Sequence, residues 1–300
     1  MRLTQIRDFI AVVESGGIRA AARKLGVSQP TVTKSVRSLE AELQVQLVGR
    51  SARGIELTAA GRAFFGRARV AHSELRKAQE EAQSGGASPG AVAFGVGNLG
   101  AALIVAPAVA RFRRQFPRSP VRIVEGLAHL LLPAVRDGSL DFVIGLRAAT
   151  ELHPALRFRP LYRSELVVAA RKGHPLRHTR SLAALVEGDW LSTSTLGLPG
   201  GPVERLFADA GLPPPRPVIQ CESYNTMAAL LAATDMLGLM QRRSLKEPLA
   251  RDLLVELPVA DPLPSVTAGI FTRADAPLTR GAAAMAKAAS AVARGLARAG

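Results

Sequence analysis

The sequence predicts an α+β multidomain chain: a small helical N-terminal part with a two-stranded wing, a long linker helix, and a larger α/β part that can hold two lobes. Three observations predict it. Apolar residues recur three and four positions apart through residue 43 and again from 58 to 83, the signature of helices with one buried face. SGGASPGA, residues 84–91, has the composition of a hinge. Beyond it, short apolar runs alternate with helical stretches, the pattern of strands joined by crossover helices. At 300 residues the chain also exceeds a single compact core.

Leu3, Ile6, Phe9, Ile10 and Val13 line one face of a first helix, which Ser15, Gly16 and Gly17 end. A short second helix, RAAARKL, carries alanines small enough for close helix contact and has Gly26 where a helix terminates. Ser28 is placed to cap a third helix, with Pro30 in its first turn, where a missing N–H costs nothing. That helix runs to about Leu43 and buries Val32, Val36, Leu39 and Leu43. The tight Gly26-Val27-Ser28 turn gives a helix-turn-helix layout. On the other face stand Gln29, Thr31, Thr33, Lys34 and Arg37, with no acidic residue before Glu40. A helical bundle without a nucleic-acid role needs the apolar face but not this polar one. Short and basic groups of this kind can enter a major groove, donate to base edges and meet phosphates without repulsion.

QVQLVGRSARGIELT reads as a two-stranded wing, with Val45 and Leu47 on one arm and Ile55 and Leu57 on the other. Arg50 and Arg53 at its tip suit phosphate or minor-groove contact, or simply a solvated turn. Thr58 caps a long helix to about Gln83, striped by Phe65, Ala68, His72, Leu75, Gln79 and Ala82. Such a stripe calls for a partner helix, and a dimer would set two reading heads on two half-sites of double-stranded DNA. His72 reads as a packing residue. In the larger part, VAFGVG, VRIVEG, DFVIGL, ELVVAA, PVIQCES, MLGLM and VTAGIFT imply parallel strands.

Hydrophobic residues make up 48% and charged residues 21%, which excludes a disordered chain. The net charge of +15 points to a polyanionic partner, nucleic acid ahead of a membrane surface. The densest positive stretch surrounds the helix-turn-helix: Arg19, Arg23, Lys24, Lys34, Arg37, Arg50 and Arg53 stand against Glu40 and Glu42. No apolar run spans a bilayer, and the N-terminus lacks the uninterrupted apolar core of a signal peptide, so a cytoplasmic location and no membrane partner are expected. The lone Cys221 cannot form an internal disulfide or a cysteine metal cluster and reads as a buried structural thiol. Neither a metal nor a cofactor is expected.

One motif argues otherwise. GVGNLG, residues 95–100, follows a strand and precedes a helix, as the dinucleotide-binding fingerprint requires, and Glu125 ends the next strand. An NAD-dependent oxidoreductase is therefore the rival reading. Against it, Glu125 lies 25 residues beyond Gly100, and His129, His153, His174 and His178 form no constellation for hydride chemistry. No catalytic residue is assigned. The physics of the motif survives its rejection, because backbone N–H groups opening a helix near Asn98 to Ala101 can bind a small carboxylate.

Over essentially its whole length the chain resembles the LysR-type transcriptional regulators. The resemblance rests on AAARKLGVSQPTVTKSVRSLEAEL and QLVGRSARGIELTAAGR, then on APAVARFRRQFP, VRDGSLDFVIG, the KGHPL turn and CES before a helix. It implies a winged helix-turn-helix over residues 1–58, a dimerising linker helix over 59–84, a hinge over 85–91 and a periplasmic-binding-protein-like effector domain over 92–300. Lobe I would hold about 92–162 and 267–300, and lobe II about 163–266. By position, Ser28, Gln29, Pro30, Thr31, Thr33, Lys34 and Arg37 match the DNA-reading helix, and Arg50 and Arg53 match the wing. Lys34 stands where Arg is common; without the bidentate fork, its guanine contact would discriminate less, by about 1 kcal/mol. Gly17 and Arg19 replace small hydroxyl residues, leaving Arg19 as the phosphate contact there.

The resemblance places an effector cleft between the lobes. Its lining would be Asn98, Leu99, Gly100 and Ala101; Gly126 and Leu127; Leu146 and Arg147; Ser192, Thr193 and Ser194; and Ser223, Tyr224 and Asn225. Asn98 and Gly100 stand where a hydroxyl residue is frequent, and Arg147 could supply the counter-charge for an organic anion. The function implied is sequence-specific DNA binding and transcription regulation under a small organic effector, as a homodimer assembling into a homotetramer, with RNA polymerase as a further partner.

Overall fold

The computed structural model describes residues 1–51, 54–83, 89–97, 101–147, 152–192, 201–215, 217–221, 223–248 and 250–298. The chain divides into two compact units, Met1–Ala87 with Arg136–Ser139, and Ser88–Val135 with Leu140–Gly300.

The first unit opens with α1 (Leu3–Glu14), α2 (Ile18–Leu25) and α3 (Gln29–Leu43), then the hairpin β1 (Val48–Ser51) and β2 (Gly54–Leu57), and α4 (Ala59–Gln83). Phe9, Val12, Val32, Val36, Leu39 and Leu47 are wholly or almost wholly buried in its core, each contributing about 1.5–3 kcal/mol of transfer free energy. Gly26 closes α2 with φ +67, a left-handed conformation that favours glycine. Ser28 caps α3 by accepting from the Thr31 N–H at 3.3 Å, with Pro30 in the first turn. The wing begins later than its apolar pattern predicts. Val45 is 40% exposed, and Leu47 serves the core just before β1 starts.

The stripe on α4 divides in two. Phe64, Phe65 and Ala68 pack back onto Ile6, Phe9 and Ile10 of α1, with the Phe9 ring 5.6 Å from Phe64 and 6.2 Å from Phe65. Leu75 is 49% exposed, and Gln79 and Ala82 lie open. The half-buried His72 is held below the usual imidazole range by burial, with Arg76 and Arg7 adding to the effect.

In the second unit the described residues form one mixed sheet of nine strands, in the order β4-β3-β5-β11-β6-β9-β7-β8, with β10 beside β6. Its strands are β3 (Val92–Val96), β4 (Val121–Glu125), β5 (Phe142–Arg147), β6 (Leu156–Arg171), β7 (Trp190–Ser192), β8 (Pro217–Gln220), β9 (Leu237–Gln241), β10 (Leu254–Glu256) and β11 (Ser265–Arg273). The helices are α5 (Ala101–Gln115), α6 (Ala128–Arg136), α7 (Pro202–Asp209), α8 (Tyr224–Ala233) and α9 (Arg280–Arg298).

The expectation of parallel strands holds for β3 with β4 and β5, and for β7 with β8 and β9. It fails for β6 and β11, which run antiparallel to their neighbours, as does β10, a short strand that none of the apolar runs foretold. The reason is the route of the chain: β6 carries it from one half of the sheet to the other and β11 brings it back. The 16-residue β6 is also far longer than the ELVVAA run. Its first half, LRFRPLYRS, is charged and holds Pro160, so it lacks an apolar signal. The structure accommodates Pro160 with a register shift between Ala268 and Gly269, where β11 slips past Leu161. Gly269 is required there, because a Cβ would lie 2.4 Å from the Phe158 ring.

Candidate nucleic-acid interface

The cap and proline of α3 fix its first turn, and the buried Val32, Val36 and Leu39 fix its rotation. Those constraints turn the polar face outward. Gln29, Pro30, Thr31, Lys34, Arg37 and Ser38 are exposed and Thr33 is half-buried. Gln29, Pro30, Thr33, Lys34, Arg37 and Ser38 line one surface concavity of about 820 Å³. Five of those six are sequence-predicted site residues. Ser28 and Thr31 share a 2.8 Å hydroxyl contact at the cap, and the Thr33 hydroxyl donates to the Gln29 carbonyl at 3.0 Å. Arg19 reaches across from α2, its Nε donating to Gln29 Oε1 at 3.3 Å, so one guanidinium and one amide are oriented together. Arg53 and the Arg50 side chain lie outside the described residues.

Sequence reasoning missed the residues that hold the wing. The Glu40 carboxylate accepts the Leu47 and Val48 N–H groups at 2.8 and 3.1 Å, at the point where α3 hands over to β1. The available signal was a pair of acids, Glu40 and Glu42, ending an otherwise basic helix, where DNA contact alone disfavours them. Glu40→Ala is expected to cost about 1–3 kcal/mol by orphaning two N–H donors, read as a lower urea midpoint, while Glu40→Gln, which keeps an acceptor, retains most of the stability. Thr58 works from the other side. Its hydroxyl donates to the Gln46 carbonyl at 2.7 Å and accepts the Gly61 N–H at 2.9 Å, capping α4.

In the second unit the expected effector residues fall into two groups. Gly97 N–H donates to the Ile144 carbonyl at 2.8 Å and Gly126 N–H to Val96 at 3.1 Å, so the carboxyl ends of β3, β4 and β5 adjoin. Gly126, Leu127 and Leu146 sit there half-buried. Arg147 is exposed, its guanidinium 5.5 Å from the centre of the Phe158 ring. In the other group, Cys221 N–H donates to the Ser192 carbonyl at 2.9 Å, and Ser223 caps α8, with Asn225 exposed in the first turn. Tyr224 differs from the expectation of a cleft-lining residue: its side chain packs in the core beside Met227 and Leu231, and its hydroxyl donates to the Ser244 carbonyl at 3.0 Å. Asn98, Leu99, Gly100, Thr193, Ser194 and the Ala101 side chain lie outside the described residues.

Two glycines behind the rival dinucleotide reading, Gly95 and Gly97, have other work. A Cβ on Gly95 would lie 2.7 Å from Val143 and 3.2 Å from Leu131, and one on Gly97 would lie 3.4 Å from the Gly145 Cα. These glycines make room for strand and helix packing. His174 of the KGHPL turn is buried, its Nδ1 accepting from the Leu176 N–H at 3.0 Å and its Nε2 2.9 Å from the Asp235 carbonyl. With both ring nitrogens engaged, it is a turn residue. Asp141 of VRDGSLDFVIG accepts the Ala93 N–H at 2.8 Å and so joins β3 to β5. Cys221 is buried, its thiol 3.3 Å from the Ser223 carbonyl. Among the described residues no helix is long and apolar enough to cross a membrane.

Glu247 is the feature of this unit that the sequence hid most completely. It is 4% exposed, and its Oε1 has no hydrogen-bond partner. Burial pushes its carboxyl up to about 7. The phenol of Tyr162 nearby is pushed up to about 12, mainly by burial, and that of Tyr224 is also raised, with Glu247 adding to both.

Two family models match. Residues 3–62 fit the bacterial regulatory helix-turn-helix protein of the lysR family, and residues 85–294 fit the LysR substrate binding domain. The HTH-type transcriptional regulator GalR of Pseudomonas putida is 32% identical over 275 residues, covering 90% of this chain and 68% of that protein. A single-residue variant of full-length OxyR from Pseudomonas aeruginosa shares the fold with a TM-score of 0.71 and 23% identity, covering 98% of this chain and 97% of that one. Full-length CbnR, solved in complex with its target DNA, superposes with a TM-score of 0.65 at 21% identity over 97% of this chain and all of that one. The chain belongs to the LysR family of transcriptional regulators.

Proposed function

We propose that the exposed, acid-free face of α3 reads the major groove and that a small organic anion controls it from the C-terminal unit. The observation that carries this reading is the concavity over Gln29, Pro30, Thr33, Lys34, Arg37 and Ser38. Lys34 and Gln29 donate to base edges, Thr31, Thr33 and Ser28 lie close to the backbone, and Arg19 and Arg37 meet phosphates, with Arg50 and Arg53 doing so from the wing. Residues 1–58 act as the DNA-binding part and α4 as the dimerising linker, with the open Leu75 end of its stripe left for a partner helix. Residues 92–300 form the effector domain, with lobes of about 92–162 with 267–300, and 163–266.

The effector is assigned to a cleft between the carboxyl ends of β3, β4 and β5, with Gly126, Leu127, Leu146 and Arg147, and the residues around β7 and the start of α8, with Ser192, Ser223 and Asn225. The resemblance adds Asn98, Leu99, Gly100, Ala101, Thr193 and Ser194 to the site, while Tyr224 supports α8 from within. The chain works in the cytoplasm as a homodimer or homotetramer, without catalysis, and the ligand shifts subunit arrangement, hence DNA bending or RNA polymerase contact.

A thermal-shift screen of small carboxylic acids against their uncharged amides tests the effector assignment, since a ligand selective for the native state raises the melting temperature. The buried Trp190, two residues from Ser192, gives an independent fluorescence readout. The expected result is a shift with at least one acid, accompanied by altered operator affinity. Shifts with amides alone would contradict the anion site.

A further inference from the structure

The positive charge of this chain is not confined to the helix-turn-helix. Helices α5 and α9 pack against each other through Ile104, Val105, Ala108 and Phe112 on one and Ala282, Met285, Ala286 and Ala289 on the other. Neither helix contains an acidic residue, and none occurs anywhere in residues 101–122 or 276–300. Arg111, Arg113, Arg114, Arg118, Lys287 and Arg294 are all exposed. Among the described residues none of the six takes part in an ion pair or side-chain hydrogen bond. Many other cations of the chain are neutralised: Lys24 by Glu14, Arg76 by Glu80, Arg171 by Asp235, Arg242 by Glu165 and Glu256, and Arg273 by Asp275.

The surface of α9 is regular as well as basic. Its exposed strip runs Ala283, Lys287, Arg294, with the two cations seven residues apart and small side chains beside them. A seven-residue step is about 10 Å along a helix. A solvated ridge that merely keeps a protein soluble mixes both signs, and i to i+4 acid–base pairs stabilise it. This one forgoes such pairs and accumulates self-repulsion, which a polyanion laid along it relieves. Its low profile of alanines lets a broad, flat-lying partner reach every cation.

We propose that the α5–α9 face of the effector domain is a second, sequence-independent contact surface for double-stranded DNA, holding backbone outside the stretch read by α3. This rests on the DNA-binding reading given above. The partner is taken as duplex DNA because the same chain already presents a base-reading face, and a duplex held there continues past the recognised sequence. Such a surface contributes phosphate contacts and hence salt dependence, without changing which sequence is preferred.

The test compares wild-type protein with an Arg114→Gln, Lys287→Gln, Arg294→Gln variant and with Lys34→Ala. Each is titrated with two duplexes selected by the protein from a random pool: one trimmed to the recognised core of about two helical turns, the other extended by about two turns on each side. The expected result is a salt slope on the long duplex flatter by about 3 for the triple variant, one unit per lost phosphate contact, with the short duplex bound as by wild type. Unchanged binding of the short duplex also shows that the variant is folded. Equal slopes on the long duplex, with Lys34→Ala still impaired, overturn the proposal and leave the reading of α3 standing. A Lys34→Ala protein that binds both duplexes like wild type overturns the reading of α3 itself. Binding of wild-type protein, but not the triple variant, to vesicles of anionic lipid, with no slope change on DNA, assigns the face to a membrane surface and also overturns the proposal.

Discussion

Gly61→Ala is expected to unfold the DNA-binding unit. A Cβ at Gly61 would lie 1.9 Å from the Leu47 carbonyl oxygen and 2.9 Å from its carbon. Real Cβ atoms do not approach backbone so closely, and neither partner can yield. Leu47 is fully buried, its carbonyl accepts the Thr58 N–H at 3.0 Å, and its own N–H is held by Glu40. The helical preference of alanine over glycine offers about 1 kcal/mol in return. Moving α4 off the hairpin costs more, since overpacking alone costs about 1–3 kcal/mol and here the capping bonds of Thr58 are lost with it. A unit this small has little stability in reserve. The expected outcome is loss of specific DNA binding with the melting transition of the effector domain retained. Gly66→Ala is the control. It lies on the same helix with nothing within 4 Å of the added carbon, and should stabilise by up to about 1 kcal/mol.

Glu247→Gln carries the second large effect, and its sign depends on pH. In the unfolded chain Glu247 loses its proton near the ordinary value of 4.5; in the folded chain burial holds the proton up to about 7. A raised acid favours the protonated native state, so the wild type is fully stable with respect to this group below about 4.5. It loses stability as pH rises from there to about 7, and stays at the lower level above. With about 1.4 kcal/mol lost for each pH unit crossed between those two values, the total is about 3 kcal/mol. A glutamine keeps the shape and never ionises. Above pH 7 the variant should therefore unfold at higher urea, with the advantage fading below pH 5. Two urea midpoints that track each other in parallel across this range would show that Glu247 does not carry the charge penalty.

How far the sequence foretells this molecule depends on whether the relevant force is local. Ser28 as cap, Gly26 as left-handed terminator, and Val32, Val36 and Leu39 as the buried edge of α3 follow from residue spacing, and the structure has them so. The acid-free concavity follows from the same spacing, because burying one helix face exposes the other. What was not legible arises from distant partners. LRFRPLYRS does not look like a strand until β11 pairs with it. Strand direction in β6, β10 and β11 is a property of the chain's route and leaves no periodic trace. Phe65 and Ala68 read as part of one long stripe with Leu75, yet α1 takes the first two and leaves the third open. Tyr224 looked available in the ESYN loop, and Ser244, twenty residues on, claims its hydroxyl. Gly61 is an inconspicuous letter until Leu47, whose N–H Glu40 holds, is brought against it.

DNA reading by the exposed face of α3 underlies both the regulatory role and the second contact surface on α5 and α9. The salt dependence of affinity for a selected duplex and a scrambled one, measured for wild type and Lys34→Ala, tests it most directly. Lys34→Ala is expected to lose about 1–3 kcal/mol of discrimination between the two duplexes, and its slope on the selected duplex to flatten by about 1. Discrimination and slope both equal to wild type would contradict it.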